Sequence, residues 1–203
     1  MMPLINLYKI SPYSVLGIWK IEESINEMKE INKNEKININ EKKNDKKFIE
    51  SVASIMIIKN LSSFMESNYY GIYKNNLGKP LLIKSEANIS ISHSYPYAVG
   101  LMNKKNVCGV DIEKISEKVL KINSKFLNKN EIIKVGNSLI KNTIYWSCKE
   151  ALFKAYNKSD ISFINDISIN ETEEKNKIIG KIKNKEFILL TKKIEDFIII
   201  YTN

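Results

Sequence analysis

Two short segments of this sequence carry carboxylates and a lysine at spacings that could do chemistry. In Gly109-Val110-Asp111-Ile112-Glu113, apolar and acidic residues alternate. A β-strand there puts Asp111 and Glu113 on one face and Val110 and Ile112 on the other. In Trp146-Ser147-Cys148-Lys149-Glu150-Ala151-Leu152-Phe153-Lys154 and its flanks, Ile144, Cys148, Ala151 and Ala155 recur at helical spacing and pack inward. Trp146, Glu150 and Lys154 form an adjacent row, with an acid one turn before a lysine. Three carboxylates make a hard, oxygen-rich site of the kind Mg²⁺ accepts, and Mg²⁺ usually shares its shell with waters and substrate phosphates. A lysine beside such a site suits a phosphate ester. A plainer reading has Asp111 and Glu113 on the solvated face of an edge strand, and Glu150 with Lys154 as a helix ion pair of about 0.3 to 0.5 kcal/mol. Spacing alone favours the plainer reading.

Taken together, the two segments resemble the paired signatures of the 4'-phosphopantetheinyl transferase superfamily, a Gly-Val-Asp-x-Glu strand followed some tens of residues later by a Trp-x-x-Lys-Glu-Ala-x-x-Lys helix. Gly78-Lys79-Pro80 and Asn88-Ile89-Ser90-Ile91-Ser92-His93-Ser94 are similar to stretches of the longer, surfactin-synthetase-activating type. Phe126-Leu127 followed by Glu131 is similar to its Phe-Leu-x-x-x-Glu element. The resemblance implies an α+β pseudo-dimer of two similar halves, each a small antiparallel sheet packed on a long helix, with the active site in the seam. It implies transfer of the 4'-phosphopantetheine arm of coenzyme A to a serine of an apo acyl or peptidyl carrier protein, releasing 3',5'-ADP. Asp111, Glu113 and Glu150 would hold Mg²⁺, with Mn²⁺ as the alternative ion, and Glu150 or a metal-bound water would take the serine proton. Lys154 would contact the pyrophosphate. Lys79 and His93, with Ser92 as a weaker companion, would hold the 3'-phosphate of coenzyme A. Trp146 reads as a packing residue that fixes the helix against the strand. Many relatives carry an arginine in the preceding long helix about four residues before a lysine; Ile55 stands before Lys59 here.

The elements that must position these residues are legible from periodicity. Residues 4 to 10 and 14 to 21 read as two strands around the turn Ser11-Pro12-Tyr13, and Glu22 to Asn32 as a helix. Asn32 to Lys47 reads as a solvated loop of Asn, Lys and Glu. Phe48, Val52, Ile55, Met56, Leu61 and Met65 mark a long helix. Strands ending at His93, covering Ala98 to Met102, and starting at Val107 suggest a three-stranded antiparallel meander. Ser116 to Asn137 is helical, broken near Asn128, with Glu131 read as a charge at a helix N-terminus. After the Trp146 helix come strands at Ile161 to Ile169, Lys177 to Ile182, Phe187 to Thr191 and Phe197 to Tyr201. The two halves are expected at 1–102 and 103–203.

Composition sets the class. At 203 residues the chain is long enough for a real core, and 43% hydrophobic residues with interleaved charge read as a soluble globular protein. The net charge is +9, and every basic residue other than the single His93 is lysine. Such basicity invites a nucleic-acid-binding reading, the rival from another class, and would equally speed encounter with an acidic carrier. A degenerate homologue without catalysis is the second rival; the retained acids and Lys154 argue against it. Cys108 and Cys148 lie in apolar surroundings without metal-ligand spacing, which suits small core residues and a reducing cytoplasm. No run is long enough to span a bilayer, and a cytoplasmic monomer is expected.

Overall fold

The computed structural model describes residues 5–37, 39 and 44–203. Leu4, at the start of the first expected strand, and residues 38 and 40–43 of the expected loop lie outside the described residues. The chain divides into two compact units, residues 1–73 with 80–106 and residues 74–79 with 107–203.

In the first unit, β1 (Ile5–Ser11) and β2 (Ser14–Lys20) form an antiparallel hairpin. Helix α1 (Ile25–Asn34) starts at a capping box in which Ser24 and Glu27 satisfy each other's backbone N–H groups. Helix α2 (Asp45–Phe64) starts at Asn44, whose side chain accepts from the Lys46 N–H. Short β3 (Ile72–Lys74) and β4 (Pro80–Leu82) pair with each other. Strands β5 (Asn88–Ser94) and β6 (Tyr97–Asn103) complete an antiparallel sheet of order β1-β2-β6-β5, and α2 packs on it. The close approach needs glycine: a Cβ on Gly100 of β6 would overlap the Ile57 side chain of α2. The buried stripe of α2 is broader than its spacing indicates, with Ile57 and Ile58 fully buried and Ile55 only partly so. The segment after α1 is also less solvated than its composition suggests. Asn32, buried, exchanges two hydrogen bonds with the Ile39 backbone at 3.0 and 3.1 Å, and Ile37 and Ile39 pack against the core.

In the second unit, β7 (Val110–Lys114) is followed by α3 (Lys118–Ile122), a 3-10 turn at Asn123–Lys125 and α4 (Lys129–Val135). Helix α5 (Leu139–Tyr156) runs from a Ser138 N-cap to Asn157, which ends it in the left-handed conformation. Strands β8 (Ile167–Glu171), β9 (Lys177–Ile182), β10 (Lys185–Ile194) and β11 (Phe197–Thr202) follow. The sheet order is β7-β11-β10-β9-β8, all antiparallel, covered by α5. Two expectations are corrected here. The strand after Asn106 does not complete a meander with β5 and β6, because β7 pairs with β11. Residues 161–166 are loop and turn, so the strand expected from Ile161 begins at Ile167. Both cysteines are buried and not joined in a disulfide, and burial pushes the Cys148 thiol far up. Among the described residues no helix is long and apolar enough to cross a membrane.

Candidate active site

Strand β7 places Asp111 opposite Ile200 and Glu113 opposite Ile198 on β11. Cross-strand partners share a face, and Ile198 and Ile200 belong to the core beneath α5. Both acids therefore face the helix rather than open solvent. Asp111 is only 3% exposed, which removes the solvated-edge reading for it. The contact between strand and helix depends on the residue before the strand: a Cβ on Gly109 would overlap the Ala151 carbonyl oxygen and crowd the Ala155 N–H. Only glycine lets the backbone of α5 lie this close to the start of β7.

Helix α5 answers the acids with donors. Lys154 Nζ donates to Asp111 Oδ1 at 2.8 Å and to the Val110 carbonyl at 3.1 Å. Its partner is thus the strand acid and not Glu150 one turn earlier. The Trp146 indole N–H donates to Glu113 Oε1 at 2.9 Å. Glu150 has its carboxyl pushed up to about 7, first by burial and then by Asp111 and Glu113, with Lys154 opposing. Glu113 is raised too, by burial and then by Asp111, with the Trp146 hydrogen bond and Lys154 opposing. The mutual repulsion places three carboxylates in one another's fields, with one ammonium among them.

A predicted consequence concerns the metal-free protein. The Glu150 carboxyl binds its proton more tightly folded than unfolded, so its ionisation costs stability. The cost is absent below the ordinary carboxyl value of about 4.5 and fully present above about 7. Glu150→Gln should therefore raise the melting temperature by several degrees at pH 8, on the order of 2 kcal/mol, and change little at pH 4. Thermal unfolding at the two pH values in EDTA checks this.

Among the described residues no three His, Cys, Asp or Glu side chains already stand as a ligand set around one point. In donor chemistry the set fits a hard divalent ion: three carboxylates, mutually repelling, next to a cation that neutralises only one of them.

The remaining expected residues are distributed between the units. Lys79 belongs to the second, at the end of a turn in which Asn75 Oδ1 accepts from the Leu77 and Lys79 N–H groups at 3.0 and 2.9 Å. Gly78 supplies the positive φ of +80° that this turn needs. Burial lowers the Lys79 ammonium below its usual value. Ser92 and His93 stand on β5 of the first unit, Ser92 buried and His93 exposed. His93 Nδ1 lies 3.4 Å from Oε2 of Glu50, a buried acid of α2 that the sequence reading passed over.

That reading also missed the role of Lys149. Its side chain is fully buried, and the three protons of Nζ are shared among four acceptors: Glu131 Oε2 and the Phe126 carbonyl at 2.7 Å, Phe163 O at 2.8 Å and Ile167 O at 3.0 Å. Glu131 in turn caps α4 through the Asn128 N–H and accepts from the Ile169 N–H. The helix-terminus charge expected there is thus also half of a buried ion pair. A signal existed: Asn142, Tyr145, Lys149 and Leu152 repeat at helical spacing, and all four are buried.

Comparison with a known family covers the part of the chain that carries β7 and α5. Residues 107–201 match the model described as the 4'-phosphopantetheinyl transferase superfamily. The match to this superfamily takes in both β7 and α5. Over 118 residues the chain is 34% identical to the 4'-phosphopantetheinyl transferase gsp of Aneurinibacillus migulanus, covering 56% of this chain and 48% of that protein. The match thus spans about half the length of the curated transferase. Asp111, Glu113, Glu150 and Lys154 all fall inside the transferase match.

Proposed function

We propose that the protein transfers the 4'-phosphopantetheine arm of coenzyme A to a serine hydroxyl of an apo carrier protein, with Mg²⁺, releasing 3',5'-ADP. The observation that carries this reading is the Lys154–Asp111 pair, 2.8 Å apart, set beside Glu113 and Glu150 within the transferase match. A neutral hydroxyl must attack a phosphorus surrounded by anionic oxygens, so the barrier is largely one of charge. Mg²⁺ held by Asp111, Glu113 and Glu150 would supply neutralisation of the pyrophosphate oxygens.

The rest of the reaction falls to the chain's own groups. The serine oxygen forms a bond to the phosphorus of the phosphopantetheine half, and the bond from that phosphorus to the ADP oxygen breaks. The hydroxyl proton passes to the Glu150 carboxylate. Lys154 places its ammonium where charge builds on the departing phosphate. Lys79, Ser92 and His93 would hold the 3'-phosphate, and the exposed lysines would draw in an acidic carrier.

Chromatography of the nucleotides after incubation with coenzyme A, Mg²⁺ and an apo acyl carrier protein tests this. The expected product is one 3',5'-ADP per carrier consumed, lost with EDTA and lost in Asp111→Asn. Release of 3',5'-ADP without a carrier, or at the full rate in Asp111→Asn, would contradict the assignment.

A further inference from the structure

We infer that Trp146 is a positioning residue for the Glu113 carboxylate, its indole aimed by a ring clamp that the buried Lys149 fastens; this rests on the metal-site reading above. An indole carries a single donor and no acceptor, and here that donor is spent on Glu113 Oε1 at 2.9 Å. The ring is gripped by Phe126, edge-on with centroids 5.0 Å apart and planes at 60°, and by Phe163 at 5.8 Å and 37°. Phe163 is backed by Phe153 at 5.5 Å. Phe126 and Phe163 come from segments on opposite sides of α5 in the chain and meet by packing on Trp146. Their carbonyl oxygens add a second tie: both accept from Lys149 Nζ, at 2.7 and 2.8 Å. One buried ammonium thus sets both jaws of the clamp, and the clamp sets the direction of the N–H.

The consequence falls on Glu113. A glutamate has three side-chain torsions to fix, and a carboxylate bonded through one oxygen presents the other in a defined direction. The two acids of β7 are handled alike, each receiving a donor from α5: Lys154 for Asp111 and Trp146 for Glu113. The core residue Trp19 also donates to a glutamate, Glu23 Oε2 at 3.2 Å; what distinguishes Trp146 is that its acceptor stands beside the acids Asp111 and Glu150. Groups that hold a metal-binding carboxylate typically change metal affinity 10- to 100-fold when removed.

The test is Trp146→Phe, which keeps an aromatic ring in the clamp and removes the donor together with part of the ring. Isothermal titration of the substrate-free protein with Mg²⁺ alone should show affinity about tenfold weaker than wild type. In turnover assays the half-saturating Mg²⁺ should rise by a similar factor while that for coenzyme A stays within twofold. Wild-type Mg²⁺ affinity in a folded Trp146→Phe would overturn the inference and leave Trp146 a packing residue. A second measurement needs no variant: of the two indole N–H resonances, that of Trp146 should move on adding Mg²⁺ to wild type, and that of Trp19 should not. An unmoved Trp146 resonance at saturating Mg²⁺ also overturns it. If wild type binds no Mg²⁺, or binds it equally after Asp111→Ala, the metal-site reading itself fails, and the inference falls with it.

Discussion

Lys154→Ala should lower turnover about 100- to 1000-fold while weakening coenzyme A binding by less than about tenfold. Removing one well-placed stabiliser of developing charge typically costs that much in the chemical step. The loss is unequal because the ammonium matters most when the leaving phosphate gathers charge, and less in the bound ground state. The variant also leaves Asp111, 3% exposed, without the ammonium that stands 2.8 Å from its Oδ1, so some stability goes as well. The Lys154 side chain is 27% exposed, which puts that loss toward the lower end for a broken ion pair, about 2 to 3 kcal/mol. Steady-state kinetics with equilibrium binding of coenzyme A, on protein shown folded by its melting curve, separates the two effects. Equal losses in turnover and binding would mean that Lys154 only binds.

Lys149→Ala should destabilise the protein by about 3 to 5 kcal/mol, a large share of the roughly 5 to 15 kcal/mol that holds a typical domain together. The substitution strands Glu131 as a buried charge and removes the donor from three carbonyls, Phe126, Phe163 and Ile167, in one step. Burial pulls the Lys149 ammonium below its usual value while Glu131 opposes this. The double variant Lys149→Met with Glu131→Leu should recover part of the loss, because it buries no unpaired charge. Full recovery is not expected, since the Asn128 and Ile169 N–H groups also lose Glu131. Urea unfolding of the single and double variants measures both quantities. A single-variant loss under about 1 kcal/mol would show that the network contributes little.

The sequence carried much of the local structure. The apolar periods marked α2, α5 and the two hairpins of β-strands, whereas the helix starts at Ser24, Asn128 and Ser138 emerge from the structure. What periodicity does not carry is partner choice. Strand β7 pairs with β11, nearly ninety residues later, and nothing in the pattern of either strand favours that over a hairpin with β6. The same limit applies to the candidate site. The sequence offered Asp111, Glu113, Glu150 and Lys154 together, and its plainer reading paired Lys154 with Glu150, whereas the structure puts Lys154 on Asp111. Lysine is rarely buried without a partner, so Lys149 could be read as internal only from its helical spacing to Tyr145 and Leu152. Its acceptors at 126, 131, 163 and 167 are set by the fold.

The most direct test of the central claim is the intact mass of an apo acyl carrier protein after incubation with this protein, coenzyme A and Mg²⁺, with EDTA in a parallel reaction. The account predicts a gain of one phosphopantetheine per carrier, absent with EDTA and absent when the carrier serine is replaced by alanine. An unchanged carrier mass across acyl and peptidyl carriers, with coenzyme A left intact, would contradict it.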